Sequence, residues 1–129
     1  MIQKELKAVE AFHNAFKIDC ANQLTVDLPD NIIELRFRLM EEENLEYLEA
    51  AKNKDMVEVA DALGDMLYIL CGTILTHGMQ HKIEEVFDEI QRSNMSKLGA
   101  DGEPIYREDG KVMKGPNYFK PDIEKILKQ

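Results

Sequence analysis

The spacing of apolar residues along the chain predicts four helices. Apolar side chains recur every three or four positions, which is the spacing of one face of an α-helix. The segments with this spacing are 2–16, 32–52, 56–76 and 83–96. Residues 17–30, which include Pro29, are predicted to form the loop between the first two helices.

The predicted helix ends carry residues that such ends favour. Asp30 or Asn31 is placed to cap the second helix, and Asp55 is placed to cap the third. Gly78 follows the third helix and suits the left-handed conformation that is common there. The break between the second and third helices is therefore only about three residues long.

The pattern changes after Leu98, where the chain becomes rich in Gly, Pro and Asp. Asp109-Gly110 between IYRE and KVMK predicts a small β-hairpin, and Pro121 precedes a short last helix. The predicted fold is all-α: one domain over residues 1–129, with a four-helix body and an irregular tail at 99–129.

The third helix is apolar on nearly every side after Asp65, as the run VADALGDMLYILCGTIL at 59–75 shows. Such a helix must be covered all round. A four-helix body of 129 residues leaves part of it uncovered, so we expect a homodimer that shares the core.

Charge and cysteine content narrow the function classes. The formal net charge is −9, which argues against nucleic acid as a partner. The apolar run at 66–76 is too short to span a membrane, and the first residues do not resemble a signal peptide. Cys20 and Cys71 form no CxxC pair, and we expect a cytoplasmic protein with no membrane partner.

Two acidic stripes are predicted to face each other. Glu58, Asp61 and Asp65 fall within roughly 60° of one another on the third helix. On the second helix Glu42, Glu46 and Glu49 form one line, with Glu43 one turn before Glu46. Because the connection is short, the two helices must be antiparallel neighbours, which brings the stripes together.

Facing carboxylates repel unless something compensates them. They can take up protons, turn into water, or hold divalent cations between them, and sets of oxygen ligands suit Mg²⁺ or Mn²⁺. A solvated acidic face with scattered lysine partners is the alternative, and Glu41 and Glu49 fit it equally well. Asp61 and Asp65 fit it poorly, because their helix neighbours are apolar.

The acidic motifs are similar to those of a known family. Glu42-Glu43-x-x-Glu46 followed by Glu58-x-x-Asp61 resembles the EExxE…ExxD signature of the MazG-like all-α nucleoside triphosphate pyrophosphohydrolases, which include phosphoribosyl-ATP pyrophosphohydrolase. The run from DALGDMLYILCGTILTHG to GPNYFKPDI is similar to one MazG-like branch. Some relatives in that branch carry a Cof-like label, but this chain has no DxD nucleophile motif.

The resemblance implies a MazG-like helical bundle, dimeric or tetrameric, that binds Mg²⁺ and splits a nucleoside triphosphate into a monophosphate and pyrophosphate. At the matching positions it implies that Glu43, Glu46, Glu58 and Asp61 are metal ligands. Glu42 would orient or deprotonate water, a role that Glu46 can also take. In many relatives the Asp of ExxD directly precedes a DLLY-type run. Here Asp65 begins the run DMLY and the residue three positions before it is Ala62, so either Asp61 or Asp65 is the principal ligand and both are kept.

The end of the fourth helix and the tail supply groups that can bind a polyanion. We predict that Asn94 and Lys97 meet phosphate or sugar, and that the tail closes over the nucleotide. The complete predicted substrate-binding set is Arg92, Asn94, Lys97, Lys111, Lys114 and Tyr118.

The predicted function is therefore a Mg²⁺-dependent hydrolase that cleaves (d)NTP to (d)NMP and pyrophosphate, in the house-cleaning of the nucleotide pool. Phosphoribosyl-ATP pyrophosphohydrolase is the alternative within the enzyme class. A non-catalytic acidic helical module that binds a protein partner is the alternative from another class, and it predicts no dependence on metal.

Overall fold

The computed structural model describes all residues from 1 to 129. It contains five helices and no strand. They are α1 (Gln3–Ala15), α2 (Asp30–Lys52), α3 (Met56–Thr76), α4 (Ile83–Met95) and α5 (Ile123–Lys128). The predicted all-α class, with four main helices and a short last one, is confirmed.

The chain divides into two compact units, each of which is described by itself. The first unit, Met1–His81, contains α1, α2 and α3, and the second, Lys82–Gln129, contains α4, α5 and the segment between them. We expected the tail to begin at residue 99. In the structure α4 belongs to the same unit as the tail.

In the first unit α3 packs against both α2 and α1. Its core is built mostly from α1 and α3, whereas α2 contributes only Ala50 as a buried residue. The turn between α2 and α3 is short, and the Asp55 carboxylate accepts a hydrogen bond from Glu58 N at 3.2 Å. The predicted Asp55 cap is confirmed, and the short turn makes α2 and α3 antiparallel.

The predicted cap of α2 is wrong. Asp30 is already the first helical residue, Pro29 occupies the cap position, and no side chain accepts a hydrogen bond there. Proline sets a backbone conformation from which a helix can begin without a side-chain cap.

The loop before α2 is fastened to the end of α3. Ala21 N donates to Leu75 O at 2.9 Å, and Thr25 N donates to His77 O at 3.0 Å. The chain then passes so close to Gly78 that a Cβ there would lie 2.1 Å from Gln23 O. Gly78 has a φ of +69°, which confirms the predicted left-handed residue.

Much of the apolar surface of α2 and α3 is exposed. Phe37 of α2 is 64% exposed and Leu63 of α3 is 50% exposed, and Leu67 and Leu70 follow Leu63 at helical spacing. As expected from its all-round apolar sequence, α3 is not fully covered by its own chain. By length and composition alone α3 is also able to cross a membrane, a test that core helices of soluble proteins pass too.

In the second unit the tail is bonded to α4. Ser93 Oγ donates to Phe119 O at 2.7 Å, and Phe119 N donates to Ser96 Oγ at 3.1 Å. The predicted hairpin is present in a minimal form, as one antiparallel bridge between Tyr106 and Val112. The predicted short helix is α5, which the Asp122 side chain caps.

Candidate active site

Four carboxylates from α2 and α3 form an acidic cluster, which consists of Glu43, Glu46, Asp61 and Asp65. The pKa of Glu43 is raised to about 7, first by burial, then by a hydrogen bond with Glu46 and by the negative charges of the other three. Burial and the charges of Asp61 and Glu46 also raise the pKa of Asp65. The two acidic stripes therefore face each other, as their register on antiparallel helices predicted.

No positive charge compensates the acidic cluster. The ion pairs of the chain lie elsewhere, and no lysine, arginine or histidine nitrogen lies within 4.0 Å of these four carboxylates. Oε2 of Glu43 is buried and has no hydrogen-bond partner. Because an unpaired buried oxygen is costly, the cluster fits a proton or a cation at this position.

An acidic cavity of about 400 Å³ opens beside the cluster, next to the turn between α2 and α3. Glu46 and Asp61 line it, and the third predicted ligand on its wall is Glu58. Glu42 is exposed and lines neither this cavity nor the one described next. The full lining of the acidic cavity is Glu46, Glu49, Ala50, Asn53, Asp55, Glu58 and Asp61.

An aromatic cavity of about 360 Å³ adjoins the other side of the cluster. Glu43 and Asp65 line one part of it, and the remainder is mostly apolar apart from two nitrogen-bearing side chains. Its lining is Phe12, His13, Ile18, Arg36, Leu39, Glu43, Asp65, Tyr68 and Ile69. This cavity could not be predicted from the sequence, because its residues come from three helices and a loop and form no local motif.

The six predicted substrate-binding residues all lie in the second unit. Asn94 and Lys97 line one cavity of about 370 Å³ there, and Nζ of Lys114 lies 4.8 Å from the ring centroid of Tyr118. Lys111 is exposed beside the hairpin turn. That the tail closes over the acidic cluster stays a prediction.

Arg92, also predicted to bind substrate, is engaged within the second unit. Its guanidinium donates to both carboxylate oxygens of Glu89 at 2.8 and 3.0 Å and lies 4.3 Å from the ring centroid of Phe119. Glu89 also accepts from Asp122 N at 2.7 Å. In this arrangement Arg92 helps to fasten the tail to α4.

The acidic cluster has the ligand chemistry of a divalent metal site but not its closed geometry. No three acidic, histidine or cysteine side chains converge closely enough to hold one as they stand. The donors are nonetheless all carboxylate oxygens, the ligand type of Mg²⁺ and Mn²⁺, and Glu43 Oε2 lacks a partner. The residues present thus fit a hard divalent cation in ligand type and charge.

A match to a family model shows which protein family the chain belongs to. The family model of phosphoribosyl-ATP pyrophosphohydrolase matches residues 9–94, which is more than half of the chain. The chain belongs to the phosphoribosyl-ATP pyrophosphohydrolase family. No curated protein matches it.

Membership of the phosphoribosyl-ATP pyrophosphohydrolase family confirms the MazG-like resemblance. It supports an enzyme of the pyrophosphohydrolase class. The match covers both acidic motifs, from Glu42 to Asp65. The family description favours phosphoribosyl-ATP, the alternative substrate predicted from the sequence, over a generic (d)NTP. The match ends at residue 94, before the tail.

The raised pKa of Glu43 predicts an unusual pH dependence of this family member. Without divalent cations, we expect the contribution of Glu43 to the free energy of unfolding to fall as the pH rises from about 5 to about 7. The lowered pKa of His13 acts in the opposite direction in part of this range, so the Glu43 contribution is read as the difference between wild type and a Glu43 variant. Below the ordinary pKa of 4.5 the Glu43 carboxyl is protonated in both states. Between 4.5 and about 7 the unfolded chain gives up a proton that the folded chain keeps, so the contribution of Glu43 to the free energy of unfolding falls. Above this range the contribution stays constant at its lowest value.

Thermal melts in EDTA across this pH range measure the effect. Relative to the wild type, Glu43→Gln should gain stability as the pH rises through this range, whereas Glu42→Gln, which removes one exposed charge next to it, should show no such gain. A difference between Glu43→Gln and wild type that does not change with pH would show that Glu43 makes no such contribution.

Proposed function

We propose that the protein is a Mg²⁺-dependent pyrophosphohydrolase that splits a nucleoside 5′-triphosphate group between its α and β phosphates. One observation carries the proposal. In a chain of this family, four carboxylates from two antiparallel helices face each other and form no ion pair. Carboxylates in that position repel one another, and a divalent cation bound between them would offset the repulsion.

The residues take different parts in the proposed reaction. Glu46, Glu58 and Asp61, which line the acidic cavity, would hold the cation together with Glu43 and Asp65 of the aromatic cavity wall. When bound, the cation would supply charge neutralisation for the phosphates and would acidify a water molecule. Glu46, or Glu42 from its exposed position beside the cluster, accepts the proton of the attacking water. Asn94, Lys97, Lys111, Lys114 and Tyr118 would bind phosphate and sugar, and Arg92 would position the tail.

Two substrates are in question, and a different observation supports each. The family description supports phosphoribosyl-ATP. The similarity of the run from DALGDMLYILCGTILTHG to GPNYFKPDI to a MazG-like branch supports a free nucleoside triphosphate in nucleotide-pool house-cleaning. Both carry the same triphosphate group, so the chemistry at the acidic cluster is shared.

Pyrophosphate release measured with phosphoribosyl-ATP and with the canonical ribo- and deoxyribonucleoside triphosphates tests the proposal. We expect Mg²⁺-dependent release of pyrophosphate from at least one of them, and the preferred substrate decides between the two candidates. No release from any of them, with either Mg²⁺ or Mn²⁺, would favour the non-catalytic acidic module and contradict the proposal.

We also propose that the working form is a homodimer or homotetramer in the cytoplasm. Helices α2 and α3 expose several large apolar side chains, which include Ile33, Phe37, Leu63, Leu67 and Leu70. Large exposed apolar patches mark interaction sites, and a second copy presents the same side chains. Sedimentation velocity should show a dimer or tetramer that Phe37→Asp dissociates, whereas a monomeric wild type would contradict the proposal.

A further inference from the structure

The aromatic cavity has walls that suit a flat ring. Phe12 and Tyr68 meet edge to face, with ring centroids 5.5 Å apart and planes at 84°. Ile18, Leu39 and Ile69 complete the apolar lining. A volume of about 360 Å³ lies in the range of small-molecule sites, which are mostly apolar with a few polar groups.

Arg36 is the one cation of this cavity, and it is fixed in place. Its Nε donates to Thr73 Oγ1 at 3.0 Å, and its Nη2 donates to Ile69 O at 2.9 Å. A glycine at 72 permits this close approach, since a Cβ there would lie 2.5 Å from Nη2. Neither of these bonds uses Nη1, so Arg36 keeps donor capacity.

His13 does not share the charge of Arg36. Its side chain is buried, and its Nδ1 lies 3.5 Å from Cys20 Sγ. Burial, followed by the positive charge of Arg36, lowers the pKa of His13, so the imidazole is neutral at neutral pH. The charged groups that face the cavity are therefore Arg36 and, toward the acidic cluster, Glu43 and Asp65.

We propose that the aromatic cavity takes the base of the nucleotide substrate, and that Arg36 selects the edge of that base. The proposal rests on the proposed function, because Glu43 and Asp65 belong both to this cavity and to the acidic cluster. A nucleotide whose phosphates lie at the acidic cluster has its base next to the cluster, and the cavity is the apolar space there.

The chemistry of Arg36 sets the preferred class of base. A guanidinium only donates hydrogen bonds, so it pairs with the O6 and N7 acceptors of a 6-oxopurine. The amino group of adenine is a donor at the same edge and cannot pair with it. The cavity therefore selects an oxo base, which favours a free nucleoside triphosphate over the adenine-derived phosphoribosyl-ATP.

Calorimetric titration of the wild-type protein with inosine and adenosine monophosphates, in the presence of Mg²⁺, tests this selection. The two ligands share sugar and phosphate and differ at the base edge. We expect the inosine nucleotide to bind about tenfold more tightly, the discrimination typical of a bidentate arginine contact. Equal affinities, tighter binding of the adenosine nucleotide, or no binding of either would overturn the proposal.

Variants then locate the selecting residue. Arg36→Gln should abolish the preference, because glutamine can pair with adenine, whereas Arg38→Gln, on an exposed arginine of the same helix, should preserve it. Since Arg36→Gln also loses the bonds to Thr73 and Ile69, a second variant is needed. Tyr68→Leu should weaken both nucleotides by about tenfold through lost stacking while their ratio stays the same. An unchanged preference in Arg36→Gln, or unchanged affinities in Tyr68→Leu, would contradict the assignment.

The titration separates this inference from the proposed function, because it requires no turnover. Preference for the inosine nucleotide without pyrophosphate release from any triphosphate would contradict the proposed function and leave the cavity assignment standing. Pyrophosphate release combined with equal affinities for the two monophosphates would leave the proposed function standing and overturn the cavity assignment.

Discussion

Glu46→Gln and Asp61→Asn should each lower the rate of pyrophosphate release by about 10²-fold or more, the contribution typical of a positioned acid–base group or its equivalent. Both residues line the acidic cavity and belong to the acidic cluster. Each variant keeps the size of the side chain and removes one negative charge. One carboxylate fewer would then be available to hold the proposed cation. Weaker cation binding would reduce the neutralisation of the phosphate charges.

Stability should move in the opposite direction to activity in these variants. Removing one of several facing carboxylates relieves repulsion, so the free energy of unfolding measured without metal should stay the same or rise. Glu34→Gln is the matched control, because Glu34 lies on the same helix at an exposed position 4.0 Å from Arg38. Wild-type rates in both Glu46→Gln and Asp61→Asn would refute the assignment of the acidic cluster.

Gly78→Ala should destabilise the protein by about 3 kcal/mol, the combined cost of a left-handed alanine and an overpacked contact. Gly78 has a φ of +69°, and a Cβ there would lie 2.1 Å from the backbone oxygen of Gln23. The overlap is with backbone, so a change of side-chain rotamer cannot relieve it. The loop bonded to Leu75 and His77 would have to move.

Gly64→Ala is the matched control for this prediction. Gly64 lies inside α3, and a Cβ there would meet no atom within 4 Å. Because alanine favours a helix over glycine, this variant should be more stable by about 0.5–1 kcal/mol. Chemical denaturation at one protein concentration measures both, and equal stabilities of the two variants would contradict the role of Gly78.

The helices could be predicted because their signals are local. The third helix has the predicted bounds, Met56–Thr76, since Asp55 and Gly78 carry strong end signals next to a continuous apolar run. The start of α2 was predicted less well, because Pro29 and Asp30 both favour a helix start and only the backbone geometry separates them. The grouping of α4 with the tail depends on long-range contacts that no local pattern encodes.

The acidic cluster could be predicted for a similar reason. Helical periodicity and a three-residue connection are sufficient to place Glu43 and Glu46 opposite Asp61 and Asp65. The aromatic cavity could not be predicted, because Phe12 and Arg36 are far apart in sequence and meet only through packing on α3. Local sequence patterns were therefore sufficient to predict the acidic cluster. They were not sufficient to predict the aromatic cavity, which we propose binds the base.

A divalent cation held between α2 and α3 is central to the proposed reaction, and calorimetric titration of the protein with Mn²⁺ measures its binding directly. The predicted result is saturable binding to the wild type that Asp61→Asn weakens strongly and Glu34→Gln leaves unchanged. No saturable binding to the wild type, or equal binding to Asp61→Asn, would contradict the account.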